Sequence, residues 1–197
     1  DVTYGPRLAW VSIVVTIVSG VLAVERMHAQ AVRAAAYDFT GDGTSDLLFR
    51  EASFQGNAIG FWDVDASGVI NKRYLGAVDA AWDIVGVGDY NGDGTSDILF
   101  RLVTTGAIGY WTIVNGAMSA FVPLRWDTGA DWHVVSSRKR SDFNGDGRDD
   151  ILWRRDSGEL GMYLMTGGGP FEFDWVVLGT IDPQWKVLGT GDFSGDG

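Results

Sequence analysis

Apolar residues come in short runs along this chain, separated by glycine-rich turns, and no long helical stripe is present. LLFR (47–50), ILFR (98–101) and ILWR (151–154) are each followed, after a turn-like stretch, by a longer run: AIGFWDV (58–64), AIGYWTIV (107–114) and LGMYLM (160–165). Runs this short, rich in β-branched and aromatic residues and bounded by Gly, Asn and Ser, predict strands. WDIVGVG (82–88) and WKVLGTG (185–191) are further strand candidates that close on glycines. Asn115-Gly116, between 107–114 and AMSAFVPLRW (117–126), predicts a tight hairpin. No helical period is sustained after residue 32.

The pattern repeats. DFTGDGTSDLLFR (38–50), DYNGDGTSDILFR (89–101) and DFNGDGRDDILWR (142–154) are near copies, and DFSGDG begins a fourth at Asp192, so the starts are spaced by 51, 53 and 50 residues. A fixed period of that size marks an array of one supersecondary unit. Four short antiparallel strands per unit is the layout of a propeller blade. The predicted fold is therefore all-β, with about three to four blades of four antiparallel strands. Tryptophan keeps register: Trp82 and Trp185 stand seven residues before the next acidic turn, while Trp132 stands ten before, which places an inserted loop around Arg138-Lys139-Arg140. Trp62, Trp111 and Trp153 also recur in place, and such recurrence predicts packing between units.

Within each turn, counted from its first Asp, positions 1, 3, 5 and 9 carry side-chain oxygen. They are Asp38, Thr40, Asp42 and Asp46; Asp89, Asn91, Asp93 and Asp97; and Asp142, Asn144, Asp146 and Asp150. The partial fourth turn supplies Asp192, Ser194 and Asp196. Hard oxygens crowded at alternate positions repel one another unless a hard cation sits among them, and Ca²⁺ fits that donor set best. Position 6 is always glycine, which lets the backbone bend sharply round an ion. Position 7 (Thr44, Thr95, Arg148) contributes its backbone carbonyl, so arginine is tolerated there. An EF-hand is excluded at position 12, where its bidentate Glu is replaced by Phe49, Phe100 and Trp153. The competing explanation is a plain hairpin turn in which Asp serves Asx-type hydrogen bonds. Asp149, at position 8, is expected to face solvent.

Composition narrows the function. Among 197 residues the net charge is -11, and twelve of the 26 acidic residues lie in the four turns. That balance argues against nucleic acid and anionic lipid as partners. Cysteine is absent and only His28 and His133 are present, which excludes disulfide staples, thiolate chemistry and multi-histidine centres. The repeated carboxylates are assigned to cations, so no catalytic pair is nominated and no enzymatic activity is expected.

Residues 1–31 stand apart. Arg7, the apolar stretch 8–24 and Ala29-Gln30-Ala31 have the order of a secretory signal cleaved after Ala31, although Glu25 and Arg26 interrupt it. An uncleaved membrane anchor through 8–24 and a buried helix are the alternatives. The absent initiator Met and the truncated fourth turn suggest a piece of a longer protein.

The pattern Asp-x-(Thr/Asn/Ser)-Gly-Asp-Gly-x-(Ser/Asp)-Asp-(Ile/Leu)-Leu, preceded by Trp-x-(Ile/Val)-(Val/Leu)-Gly-x-Gly, resembles the FG-GAP, or VCBS-like, repeats of integrin α-subunit propellers, a fungal lectin and many secreted bacterial proteins. The resemblance spans residues 32–197. It implies a β-propeller with Ca²⁺ in the loop joining the first two strands of each blade, ligands approaching the opposite face in integrin-type members, and sugar pockets near blade boundaries in lectin-type members. Closed propellers have about four to eight blades, more than three units and a partial turn.

The expected function is a secreted, Ca²⁺-stabilised binding or adhesion module for glycans or other extracellular macromolecules. One alternative is an accessory, non-catalytic propeller of a larger secreted hydrolase or lyase. The other is a structural repeat protein whose open blade edges self-associate. Trp126 and Trp175 fall outside the fixed tryptophan positions and are surface ligand candidates. Arg138, Lys139 and Arg140 are candidates to grip an anionic glycan or carboxylate, against the simpler alternative of a solvated loop.

Overall fold

The computed structural model describes residues 35–51, 57–135 and 141–191. Predictions that fall on 1–31, on Arg138-Lys139-Arg140 and on the partial turn from Asp192 lie outside the described residues. Every described strand belongs to the compact unit Ala34–Gly197. The described residues contain no helix, and so none long and apolar enough to cross a membrane.

Three antiparallel sheets follow one another along the chain. The first comprises β1 (Leu47–Arg50), β2 (Ala58–Val64) and β3 (Ile70–Ala77). The second comprises β4 (Trp82–Gly88), β5 (Asp97–Leu102), β6 (Ile108–Val114) and β7 (Ala117–Arg125). The third comprises β8 (Trp132–Val134), β9 (Ile151–Arg155), β10 (Glu159–Met165) and β11 (Phe173–Thr180). In each sheet spatial order follows sequence order, as consecutive hairpins require. Asn115 and Gly116 take φ of 52° and 73°, the paired positive values of the tight turn expected between β6 and β7.

Side-chain alternation explains how the sheets stack. Ile98 and Phe100 of β5, with Trp111 and Ile113 of β6, join Phe39, Ile59, Phe61 and Leu75 in one core. The residues between them point the other way: Leu99, Ile108 and Tyr110 join Ile151, Trp153, Tyr163 and Met165 in a second core. The middle sheet is thus covered on both faces, and its strands read as nearly continuous apolar runs for that reason. Rings meet inside both cores, Phe100 with Trp111 at 5.0 Å and Trp153 with Tyr163 at 5.2 Å. Each fully buried apolar side chain contributes about 1.5–3 kcal/mol.

The tryptophan register is only partly a core register. Trp111 and Trp153 are buried and Trp62, Trp82 and Trp132 half-buried, but Trp185 is 70% exposed. The strand expected at 185–191 is not formed. Its counterpart β4 is held by a ladder to β5, from Trp82↔Leu102 to Gly88↔Asp97, whereas no described strand pairs with 185–191. Without ladder partners an apolar run has no reason to remain extended.

Candidate cation-binding loops

The strand pairs present each acidic turn at the same end of its unit. Residues 89–96 join β4 to β5, the turn from Asp142 leads into β9, and the turn from Asp38 leads into β1. The backbone of each turn winds round its first carboxylate. Asp38 Oδ1 accepts the N–H groups of Thr40, Gly41 and Asp42 at 3.2, 2.6 and 3.2 Å, and Oδ2 accepts that of Gly43 at 2.8 Å. Asp89 accepts Gly92, Asp93 and Gly94 at 2.8, 3.0 and 2.9 Å. Asp142 accepts Gly145, Asp146 and Gly147 at 2.8, 3.1 and 2.9 Å. The position-6 glycines take φ of 86°, 90° and 92°, a bend that a side chain at Cβ would strain.

Positions 3 and 5 form the rim. Asp42, Asp93 and Asp146 are exposed, and each accepts the N–H of position 7 at 2.8, 2.8 and 2.9 Å. Asn91 Oδ1 and Asn144 Oδ1 accept the position-5 N–H groups in turn. These are Asx-type bonds, so hydrogen bonding alone serves both a plain turn and a cation loop. The Thr44 hydroxyl also reaches the Val64 carbonyl at 2.6 Å, and Thr95 reaches that of Ile113, tying the rim to the end of β2 or β6. Arg148 lacks that hydroxyl, and its Nη1 lies 3.5 Å from Asp146 Oδ2.

Position 9 is buried and turned toward the backbone. Asp46 accepts the N–H groups of Phe39 and Val64, Asp97 those of Tyr90 and Ile113, and Asp150 those of Phe143 and Met165, at 2.7 to 3.1 Å. Each therefore clamps its own turn to the second strand beyond it. Burial drives all three carboxyls upward, and nearby acidic charges push the same way: Asp63 and Asp38 on Asp46, Asp93 and Asp89 on Asp97, and Asp142 and Asp146 on Asp150. Asp97 is fully buried and raised to about 8, Asp150 to about 6, against the lowering effect of their N–H partners. Among the described residues no cationic side chain pairs with Asp97. No group of three His, Cys, Asp or Glu side chains among the described residues converges to hold a metal unaided. By residue type, positions 1, 3, 5 and 9 of each turn carry three carboxylates and an Asn or Thr oxygen, an all-oxygen set of the kind that suits Ca²⁺.

Asp149 does not face solvent. It is 4% exposed, its Oδ2 accepts the Asp89 N–H at 2.7 Å, and its Oδ1 accepts the Ser141 N–H at 2.5 Å. Its own N–H donates to the Asp89 carbonyl at 2.8 Å. The doubled Asp of Arg148-Asp149-Asp150 was the available signal, and its reach to a neighbouring unit is invisible from one turn.

The remaining candidates are dispersed. Trp126 is 62% exposed and meets Phe171 edge-on at 6.1 Å; Trp175 is 43% exposed and packs on Trp132 and Tyr163, each at 5.4 Å. A cavity of about 300 Å³ that sequence reasoning missed lies beside His133, Arg154, Arg155, Asp156, Pro183 and Lys186. The His133 ring is 2.9 Å from Asp156 Oδ1, and Arg154 Nη2 donates to the Pro183 carbonyl at 3.0 Å.

Residues 142–197 match the family model of the FG-GAP-like repeat. No curated protein and no solved structure matches the chain. The matched segment opens on the turn whose hydrogen-bonded geometry is repeated at Asp38 and Asp89, so residues 142–197 carry an FG-GAP-like repeat and the two earlier units repeat its turn within antiparallel sheets.

Proposed function

We propose that the chain is a secreted β-propeller segment in which each complete turn holds one structural Ca²⁺, and that it serves as a non-catalytic binding or adhesion module toward glycans or other extracellular macromolecules. The supporting observation is the threefold recurrence of one loop geometry: a carboxylate wrapped by N–H groups, an oxygen rim and a buried third carboxylate held by two backbone N–H groups. A cation there offsets repulsion among three acidic side chains and adds its binding free energy to folding. Affinities fall in the weak extracellular range, roughly 10⁻⁴–10⁻³ M. The secretory layout of residues 1–31 supports export. Thermal unfolding in millimolar Ca²⁺ and in EGTA tests the metal role; equal midpoints overturn it. A glycan array probed with and without Ca²⁺ tests the recognition role, and binding that ignores the ion and every glycan class removes it.

A second proposal, self-association, rests on a different observation. Leu47 and Phe49 are 51% and 46% exposed on the first sheet, although Ile98 and Phe100, their counterparts in the second, are fully covered. An uncovered sheet face of that composition is suited to a second copy of the chain.

A further inference from the structure

The turns are not independent of one another. Asp149 sits at position 8 of the 142–150 turn, yet it grips Asp89, position 1 of the 89–97 turn, at both backbone groups: its N–H donates to the Asp89 carbonyl at 2.8 Å and its Oδ2 accepts the Asp89 N–H at 2.7 Å. Its other oxygen accepts the N–H of Ser141, the residue before position 1 of its own turn. One buried side chain therefore fixes the entry of two neighbouring loops. A Cβ at Gly88 would lie 2.8 Å from Asp149 Oδ2, so the fit depends on the bare backbone there. Nearby, Arg148 Cγ covers Gly92 closely enough that a Cβ would stand 3.1 Å away.

The first pair of turns supplies an internal comparison. Ser96 occupies position 8 of the second turn, and its N–H donates to the Asp38 carbonyl at 2.6 Å, but the Asp38 N–H goes to Ala35 at 3.3 Å. That link runs one way; the link at Asp149 runs both ways.

We propose that Asp149 is a positioning residue for the cation of the neighbouring loop, coupling the 89–97 and 142–150 turns so that filling one raises the affinity of the other. This rests on the Ca²⁺ reading of the turns. A cation in the 142–150 turn orders positions 7 to 9, and Asp149 passes that order to the backbone of Asp89, so the second cation meets a loop whose ordering cost has already been met. The Ser96 link couples the 38–46 and 89–97 turns more weakly.

The test is calorimetric titration of Ca²⁺ into the full chain carrying Asp38→Ala and Asp42→Ala, which remove two of the three carboxylates of the first turn. The two remaining complete turns are expected to fill with a Hill coefficient above unity. Adding Asp149→Ser, which installs the residue that Ser96 already represents, keeps uptake at both turns and lowers the coefficient to unity. A coefficient of unity before that change, or one unaltered by it, overturns the coupling while leaving the Ca²⁺ reading intact; no heat of binding overturns the Ca²⁺ reading and the coupling with it. Hydrogen exchange on the unsubstituted chain gives a second measure that needs no variant. The Asp89 and Asp149 amides are expected to slow together as Ca²⁺ is added, and unrelated rates overturn the proposal.

Discussion

The Ile113 N–H donates to Asp97 Oδ1 at 3.0 Å across sixteen residues of sequence, joining the last residue of an acidic turn to the far end of β6. The same relation holds between Met165 and Asp150 and between Val64 and Asp46. Position 9 therefore has a backbone task of its own. The rim residues at positions 3 and 5 lie toward solvent and have no such reach.

That division predicts two classes of variant. Asp97→Ala strands the buried N–H groups of Tyr90 and Ile113, at about 1–3 kcal/mol each, so it is expected to lower stability even in chelator. Asp93→Asn leaves both bonds in place and is expected to cost stability only when Ca²⁺ is present. Urea unfolding of both variants, with EGTA and with millimolar Ca²⁺, separates them; an Asp97→Ala loss confined to Ca²⁺ contradicts the backbone role.

The buried carboxyls set the pH response of the cation-free chain. Asp97 is raised to about 8 and Asp150 to about 6 in the folded protein, whereas an unfolded chain releases those protons near pH 4. Between these limits the folded state binds more protons than the unfolded one, so stability falls as pH rises from about 4 to about 8. On the proposed Ca²⁺ reading the ion takes ionised carboxylates, so its stabilisation is expected to grow over the same window. Melting midpoints across that range are expected to decline in EGTA and to flatten or rise in Ca²⁺. A midpoint that climbs steadily in EGTA is the contrary result.

Gly161 and Trp175 predict a suppressor pair. A Cβ at Gly161 would run into the Trp175 ring, which stacks across β10 from the neighbouring β11. Gly161→Ala is expected to destabilise by about 1–3 kcal/mol, in the range of overpacking. The double variant with Trp175→Ala frees that space and is expected to cost less than the two single changes added together. Additive losses in a double-mutant cycle show that the ring does not set the constraint.

Much of this architecture is legible in the sequence because the repeat states each rule three times. LLFR, AIGFWDV and WDIVGVG are β1, β2 and β4 residue for residue, since short β-branched runs between glycines have no competing helical period. The turn geometry followed from spacing, because a first Asp and a sixth Gly impose local hydrogen bonds. What escaped was contact between units. Asp149 looked like spare acidity because its partner lies sixty residues away, and Trp185 looked like core because identity of sequence says nothing about whether a ladder partner is present. WKVLGTG shows the limit of local propensity: the same pattern forms a strand at 82–88 beside β5 and none at 185–191.

The first sheet carries the last prediction. Positions 10 and 12 of the repeat are Leu47 and Phe49 in the first unit and Ile98 and Phe100 in the second. In the second unit they are buried by the sheet before them; in the first they stand half-exposed, with Phe49 tilted against Trp62 at 5.0 Å and the Lys72 ammonium 4.9 Å above the Trp62 ring. The pattern thus presents to solvent the kind of surface it elsewhere uses as a seam between sheets. Burying it recovers about 25 cal/mol for each Å² of apolar area, which favours pairing of copies as concentration rises. Light scattering of the chain is expected to show a mass that increases with concentration. Phe49→Asp places a charge at that seam without removing any residue of either core, and is expected to return the monomer mass at every concentration while leaving the melting midpoint nearly unchanged. Association that survives Phe49→Asp assigns the contact to another surface, and a concentration-independent monomer mass for the unaltered chain rules the face out as a self-association site.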